Sequence, residues 1–167
     1  MDQAGHLAQT GPATLILQVP GHDQPRIRIW VKARESIVRT LPAALLFGSG
    51  EDVLDPERAQ PVKELAGEIL DRFADAQILV TGHTDATPPR AGSPFASNGE
   101  LSLARARAVA GLLVKAGLDP SRVSAFGLGD SSPLESNRTE AGRGQNRRVE
   151  VEIRLAEAVS YLPESLS

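Results

Sequence analysis

The chain has 167 residues, of which 41% are hydrophobic, 23% charged and 4% aromatic, with a formal net charge of -3. That composition supports one packed, largely aliphatic core and excludes wholesale disorder. The slight acidity argues against nucleic acid as a partner, because phosphate neutralisation needs a basic surface, and the absence of cysteine excludes disulfides, thiolate metal sites and cysteine nucleophiles.

Residues 1–13 are polar, carry Gly and Pro, and read as a flexible arm. They lack the basic start and apolar stretch of a signal peptide, and no apolar run in the chain is long enough to span a bilayer. Membrane attachment is therefore expected only through a segment outside this sequence. Residues 14–42 read as a strand-rich extension, with strands at 14–19, 26–31 and 36–40; in the second, Ile27, Ile29 and Val31 alternate with Arg26, Arg28 and Trp30. A further strand at 43–47 is expected to open the principal domain, placed at 43–155.

After a loop at 48–56, Asp55 and Pro56 read as N-cap and first residue of a helix. Its apolar residues Val62, Leu65, Ala66, Ile69, Leu70 and Phe73 recur at helical spacing. The run 76–82 (AQILVTG) reads as a buried strand. A loop at 83–99 precedes a helix at 101–116, which Gly117 should close in a left-handed conformation. A short strand follows at 123–126. The Gly/Ser/Asn-rich stretch 127–146, with a helical turn near 140–146, is longer than connection alone requires and points to function. In the last strand, 147–155, Val149, Val151, Ile153 and Leu155 alternate with Arg148, Glu150, Glu152 and Arg154. The tail 156–167 reads as a loose helix. From residue 43 onward this succession describes a two-layer sandwich with helices on one face of a sheet.

The helix at 101–116 carries the sharpest chemical signal. Leu101, Ala104, Ala108, Val109, Leu112 and Leu113 make one broad apolar face, and Arg105 falls near its middle, whereas Arg107 points to solvent. A buried guanidinium needs an anion. Asp85, just past the C-terminal end of the buried strand, is the candidate. Two readings stand: a structural Asp85–Arg105 salt bridge, or a pair left open for a ligand with both charges. In the second, Asp85 takes an ammonium and Arg105 grips a carboxylate.

The motifs Gly82-His83-Thr84-Asp85, Asn98-x-x-Leu101-Ser102-x-x-Arg105-Ala106, Gly127-x-Gly129, Pro133, Asn137 and Asn146-Arg147-Arg148-Val149-Glu150 resemble, in order and spacing, the OmpA-like C-terminal domain. The segments 46–50 and 95–102 most resemble its MotB and type VI secretion TssL branch. Ala86 departs from the Asn common after the TD motif, and Gly99 stands where that branch often has Trp. The resemblance implies an α+β fold, a βαβαββ sandwich on a mixed sheet with extra N-terminal strands here. It also implies noncovalent binding of the diaminopimelate residue of the peptidoglycan stem peptide, in the periplasm, anchoring an envelope machine such as a flagellar stator or type VI secretion complex. Asp85 and Arg105 match the family's main contacts. Thr84, Asn98 and Leu101 would line the same pocket, Ser49 and Gly50 would reach it from the loop after the first core strand, and the NRRV motif adds Asn146 and Arg148.

Rival readings find less support. A hydrolase lacks a G-x-S-x-G elbow, and a metal site has only His83 and Asp85 to draw on, so neither catalysis nor a cofactor is expected. Gly48–Gly50 and Gly127–Gly129 lack the Lys-Ser/Thr of a P-loop. Arg138, Arg143, Arg147 and Arg148 interleave with Glu140, Glu150 and Glu152 as a mixed-charge surface rather than a nucleic-acid patch. The remaining alternative is an interaction module of an envelope complex, a homodimer included, with a purely structural Asp85–Arg105 pair.

Overall fold

The computed structural model describes residues 27–31, 35–155 and 159–163. Its elements run β1 (Ile27–Val31), β2 (Ser36–Pro42), α1 (Ala43–Leu46), α2 (Gln60–Arg72), β3 (Gln77–His83), α3 (Asn98–Lys115), a 3-10 turn (Pro120–Arg122), β4 (Val123–Gly127), α4 (Glu140–Asn146), β5 (Arg148–Arg154) and β6 (Val159–Pro163). The chain divides into two units, residues 1–35 with 155–167 and residues 36–154.

In the first unit β1 and β6 pair antiparallel, from Ile27 opposite Pro163 to Val31 opposite Val159. The expected loose helix over 156–167 is thus replaced by a strand at 159–163, where Val159 and Tyr161 favour extended backbone. The strand expected at 14–19 and the arm at 1–13 lie outside the described residues.

The second unit holds a four-stranded mixed sheet in the order β2-β5-β3-β4, with β3 and β4 parallel and the other pairs antiparallel. β5 occupies an interior position because its alternation suits one: Val149, Val151 and Ile153 are fully buried on one face, beside Ile78 and Val80 of β3. β2 pairs with β5 along its whole length, Ser36 opposite Arg154 through Pro42 opposite Arg148. The boundary expected at residue 43 therefore falls inside this unit, and β2 is the first strand of its sheet.

The strand expected at 43–47 is a helical turn, α1. Its Ala-Ala-Leu-Leu sequence lacks β-branching and favours helix; Ala43 and Leu46, three apart, are both buried. α2 begins later than Asp55 predicts. Asp55 instead closes a tight turn, its Oδ1 accepting from the Glu57 N–H at 2.9 Å, and Pro61 marks the true first turn of the helix. Val62, Leu65, Ala66 and Ile69 are buried as expected, but Leu70 is 42% exposed.

α3 starts three residues before the expected Leu101. Ser97 caps it, its Oγ accepting from the Glu100 N–H at 3.1 Å, while Glu100 Oε2 accepts from the Ala96 N–H at 2.8 Å. This is a variant of the reciprocal capping box. At the other end Gly117 is left-handed (φ +124°), with the Leu118 N–H on the Leu113 carbonyl and the Gly117 N–H on that of Val114, the Schellman arrangement its sequence predicts. The N-terminal half of α3 lies unusually close to the sheet. A Cβ on Gly82 would stand 2.0 Å from the Ser102 carbonyl oxygen, and one on Gly127 would stand 2.5 Å from the Leu103 nitrogen. These paired glycines set the depth of α3 and so the position of the residues on its first two turns.

Candidate functional site

The C-terminal end of β3, the first turns of α3, the turn after α1, and α4 enclose a cavity of about 570 Å³. Seven of the nine expected site residues line it: Asp85 and Thr84 after β3, Asn98, Leu101 and Arg105 from α3, and Ser49 and Gly50 from the 48–51 turn.

Asp85 is buried, and its backbone is fixed by neighbours. Thr84 donates its hydroxyl to the Asp85 carbonyl at 2.8 Å and its N–H to the Gly129 carbonyl at 2.8 Å. Asn98 Nδ2 bridges the carbonyls of Asp85 (3.3 Å) and Thr87 (3.0 Å). The carboxylate accepts from the Thr87 N–H at 2.8 Å and from Arg147 Nη1 at 2.6 Å. Burial pushes its pKa up, but the Arg147 and Thr87 hydrogen bonds outweigh burial and hold it below the usual carboxylate range.

Arg105 is buried as the helical face predicts, at 5% exposure. Its partner is not Asp85. Nε donates to the Glu51 carbonyl at 2.8 Å and Nη2 to the Gly48 carbonyl at 3.3 Å, while the guanidinium lies 5.2 Å from the centre of the Phe47 ring. Gly50, at φ +73°, shapes the turn whose carbonyls receive it. Burial lowers the Arg105 pKa, with the charge of Asp52 opposing. The structural Asp85–Arg105 ion pair, one of the two readings of the sequence, is therefore absent: the two groups face one cavity, each held by something else.

Asn146 and Arg148 do not reach the cavity. Asn146 is fully buried and organises the long loop: its Oδ1 accepts from the Leu134 and Glu135 N–H groups, and its Nδ2 donates to the Glu135 carbonyl and Asn137 Oδ1. Arg148 is buried on the opposite sheet face, donating to Glu150 Oε1 (2.8 Å), the Asn146 carbonyl (3.2 Å) and the Ser132 carbonyl (3.0 Å). The length of 127–146 thus serves a hydrogen-bonded framework, with α4 presenting Glu140 and Arg143 at the rim.

The arginine of this motif that enters the cavity is Arg147, which sequence reasoning passed over. It donates to Asp85 at 2.6 Å and to Glu140 Oε1 at 2.6 Å, and these carboxylates, Glu140 first, raise its pKa. The signal lay in the strand period: two residues before inward-facing Val149, position 147 shares its face, whereas 148 takes the other. Among the described residues, no cluster of three or more His, Cys, Asp or Glu side chains could hold a metal ion. What the arrangement can do is bind: it offers one carboxylate and one buried guanidinium, separately held, to a ligand with opposite charges close together.

The sequence profile of the OmpA family matches residues 46–147. The chain is 38% identical over 120 residues to Motility protein B of Bacillus subtilis, covering 71% of this chain and 45% of that protein. It is 40% identical over 93 residues to the Peptidoglycan-binding protein ArfA of Mycobacterium tuberculosis, covering 52% and 27%. This chain thus spans less than half the length of either. Among solved structures, the cell wall anchor of the type VI secretion system of Pseudomonas aeruginosa superposes with a TM-score of 0.67 at 32% identity, covering 77% of this chain and 88% of that one. With more than half of its residues inside the family profile, this chain is a member of the OmpA family, on the MotB and type VI secretion side of it.

Proposed function

We propose that residues 36–154 form a noncovalent peptidoglycan-binding module that anchors a cell-envelope assembly to the wall from the periplasm and catalyses nothing. The ligand is the diaminopimelate end of a stem peptide, which carries an ammonium and a carboxylate on one carbon. Its carboxylate meets Arg105 and its ammonium meets Asp85. The observation that carries this reading is a buried arginine bonded, among the described residues, only to backbone carbonyls, opening on a cavity that also holds a buried carboxylate. On ligand entry Arg147 keeps Glu140 as it yields the Asp85 oxygen, so no charge is stranded. Thr84, Asn98 and Leu101 shape the floor, and Ser49 and Gly50 the rim.

The test is co-sedimentation with purified sacculi, comparing the wild type with Arg105→Ala and recording a thermal melt of each. Folded Arg105→Ala should stay in the supernatant. Normal sedimentation of that variant would refute the assignment, and release of soluble fragments from the sacculi would refute the absence of catalysis.

A further inference from the structure

The charges around the cavity do not balance. Five arginines line it against two carboxylates, Asp85 and Glu140. Arg147 takes both carboxylates at 2.6 Å, and Arg143 shares Glu140 at 3.0 Å. Arg58 has its own partner, Asp55, at 3.4 Å. Among the described residues, two lining arginines make no ion pair: Arg105, which feels the charges of Asp52 and Asp85 only at a distance, and Arg90 at the mouth. The contact made by the Arg90 guanidinium is with a neutral hydroxyl, Ser49 Oγ, at 3.4 Å.

A zwitterion answers only one of the two. Its carboxylate satisfies Arg105 and its ammonium satisfies Asp85, leaving the mouth cationic. The cavity, at about 570 Å³, is in the range that encloses a whole small ligand rather than one side-chain terminus. A second anionic group therefore has both room and a waiting cation.

Arg90 is also pre-positioned. Thr87 is pinned through its N–H to Asp85 (2.8 Å) and through its carbonyl to Asn98 (3.0 Å). Pro88 and Pro89 then restrict the two φ torsions that lead to Arg90. On its far side the Arg90 carbonyl accepts from the Ser93 N–H at 3.0 Å. The loop thus holds the base of this side chain relative to Asp85, which removes the backbone part of the ordering cost of binding.

We infer that Arg90 is a specificity-determining residue that takes the free glutamate α-carboxylate of the stem peptide, so that the domain discriminates against stems in which that carboxylate is amidated. This rests on the binding site proposed above and adds a ligand requirement to it. The pairing is solvent-exposed, so the expected preference is about fivefold and falls with added salt.

The experiment is calorimetric titration of the full chain with L-alanyl-γ-D-glutamyl-meso-diaminopimelate and with the same tripeptide amidated at the glutamate α-carboxyl. The wild type should bind the free acid about fivefold more tightly. Arg90→Gln should lower affinity for the acid to that for the amide and leave the amide unchanged. Arg58→Gln, whose arginine already has Asp55, should keep the preference. Equal wild-type affinity for the two peptides overturns the inference while leaving the binding site standing, as does a preference that survives in Arg90→Gln. A preference that Arg58→Gln abolishes equally overturns it too, by assigning the effect to the general field. Failure to bind either peptide overturns the site itself and the inference with it.

Discussion

Asp85 and Arg105 share a cavity without pairing: the carboxylate is held by Arg147 at 2.6 Å and the guanidinium by the carbonyls of Gly48 and Glu51. Each charge is satisfied well enough to stay buried, yet neither is neutralised by the other. Arg105→Lys tests how that cation acts. Lysine keeps the charge but loses the planar fork that spans two carbonyls while facing a carboxylate. Sacculus binding should fall by about tenfold or more, with only a modest drop in melting temperature. Arg107→Ala, on the exposed side of the same helix, should bind as the wild type does. Equal loss in both variants would mean that helix charge, not the buried site, drives binding.

Adjacent Arg147 and Arg148 should fail in opposite ways. Arg147 is about one-third exposed and its partners line the cavity. Arg147→Ala should weaken sacculus binding several-fold, because Asp85 is no longer held in place, and should cost less stability than Arg148→Ala, because the Asp85 carboxylate keeps the Thr87 N–H. Arg148 is buried and satisfies the Ser132 and Asn146 carbonyls together with Glu150. Arg148→Ala should cost about 2–4 kcal/mol in chemical denaturation, with the affinity of the remaining folded protein preserved. A reversal of these two phenotypes would return the NRRV role to Arg148.

Gly82 and Gly67 make a second contrast. A Cβ at Gly82 meets helix backbone at 2.0 Å, and backbone cannot swing aside. Gly82→Ala should therefore destabilise by about 2 kcal/mol or more and weaken binding by pushing α3, with Asn98, Leu101 and Arg105, away from β3. Gly67 lies in α2 with nothing within 4 Å of the added carbon. Gly67→Ala should raise stability by about 0.5–1 kcal/mol through helix propensity alone. Denaturation midpoints of both variants read the difference directly.

The residues that sequence reasoning placed well are those whose burial follows from local periodicity. Arg105 sits on an apolar helical face, and Val149, Val151 and Ile153 obey a period of two, so their burial needs no knowledge of the rest of the chain. What escaped depends on distant backbone. Nothing near Arg105 says that its anchors are the carbonyls of Gly48 and Glu51, more than fifty residues away. Asn146 looks like a ligand contact by motif, but its four hydrogen bonds go to 134–137, and only the folded loop reveals that. Two errors were avoidable on local grounds. Ser97 and Glu100 already spell the helix start, and Ala43-Ala44-Leu45-Leu46 lacks β-branching, which argues for the helical turn observed.

Glu150 provides a pH test on the opposite face of the sheet. Its carboxyl sits at about 2, held down first by His83, whose Nε2 lies 3.5 Å from Oε2, and then by Arg148 at 2.8 Å, while burial acts in the other direction. A carboxyl depressed in the folded state contributes its full stability above the unfolded value of about 4.3. That contribution is lost as pH falls from there through the folded value. The gap corresponds to on the order of 2–3 kcal/mol, an upper figure because the side chain is 28% exposed and partly screened. Glu150→Gln should accordingly be less stable than the wild type by on the order of 2 kcal/mol near neutral pH, and the difference should shrink to a few tenths by about pH 2, where the folded-state carboxyl is half protonated. Urea midpoints at the two pH values give the comparison, and a difference of the same size at both would mean that the charge of Glu150 contributes nothing to holding β5 against β3.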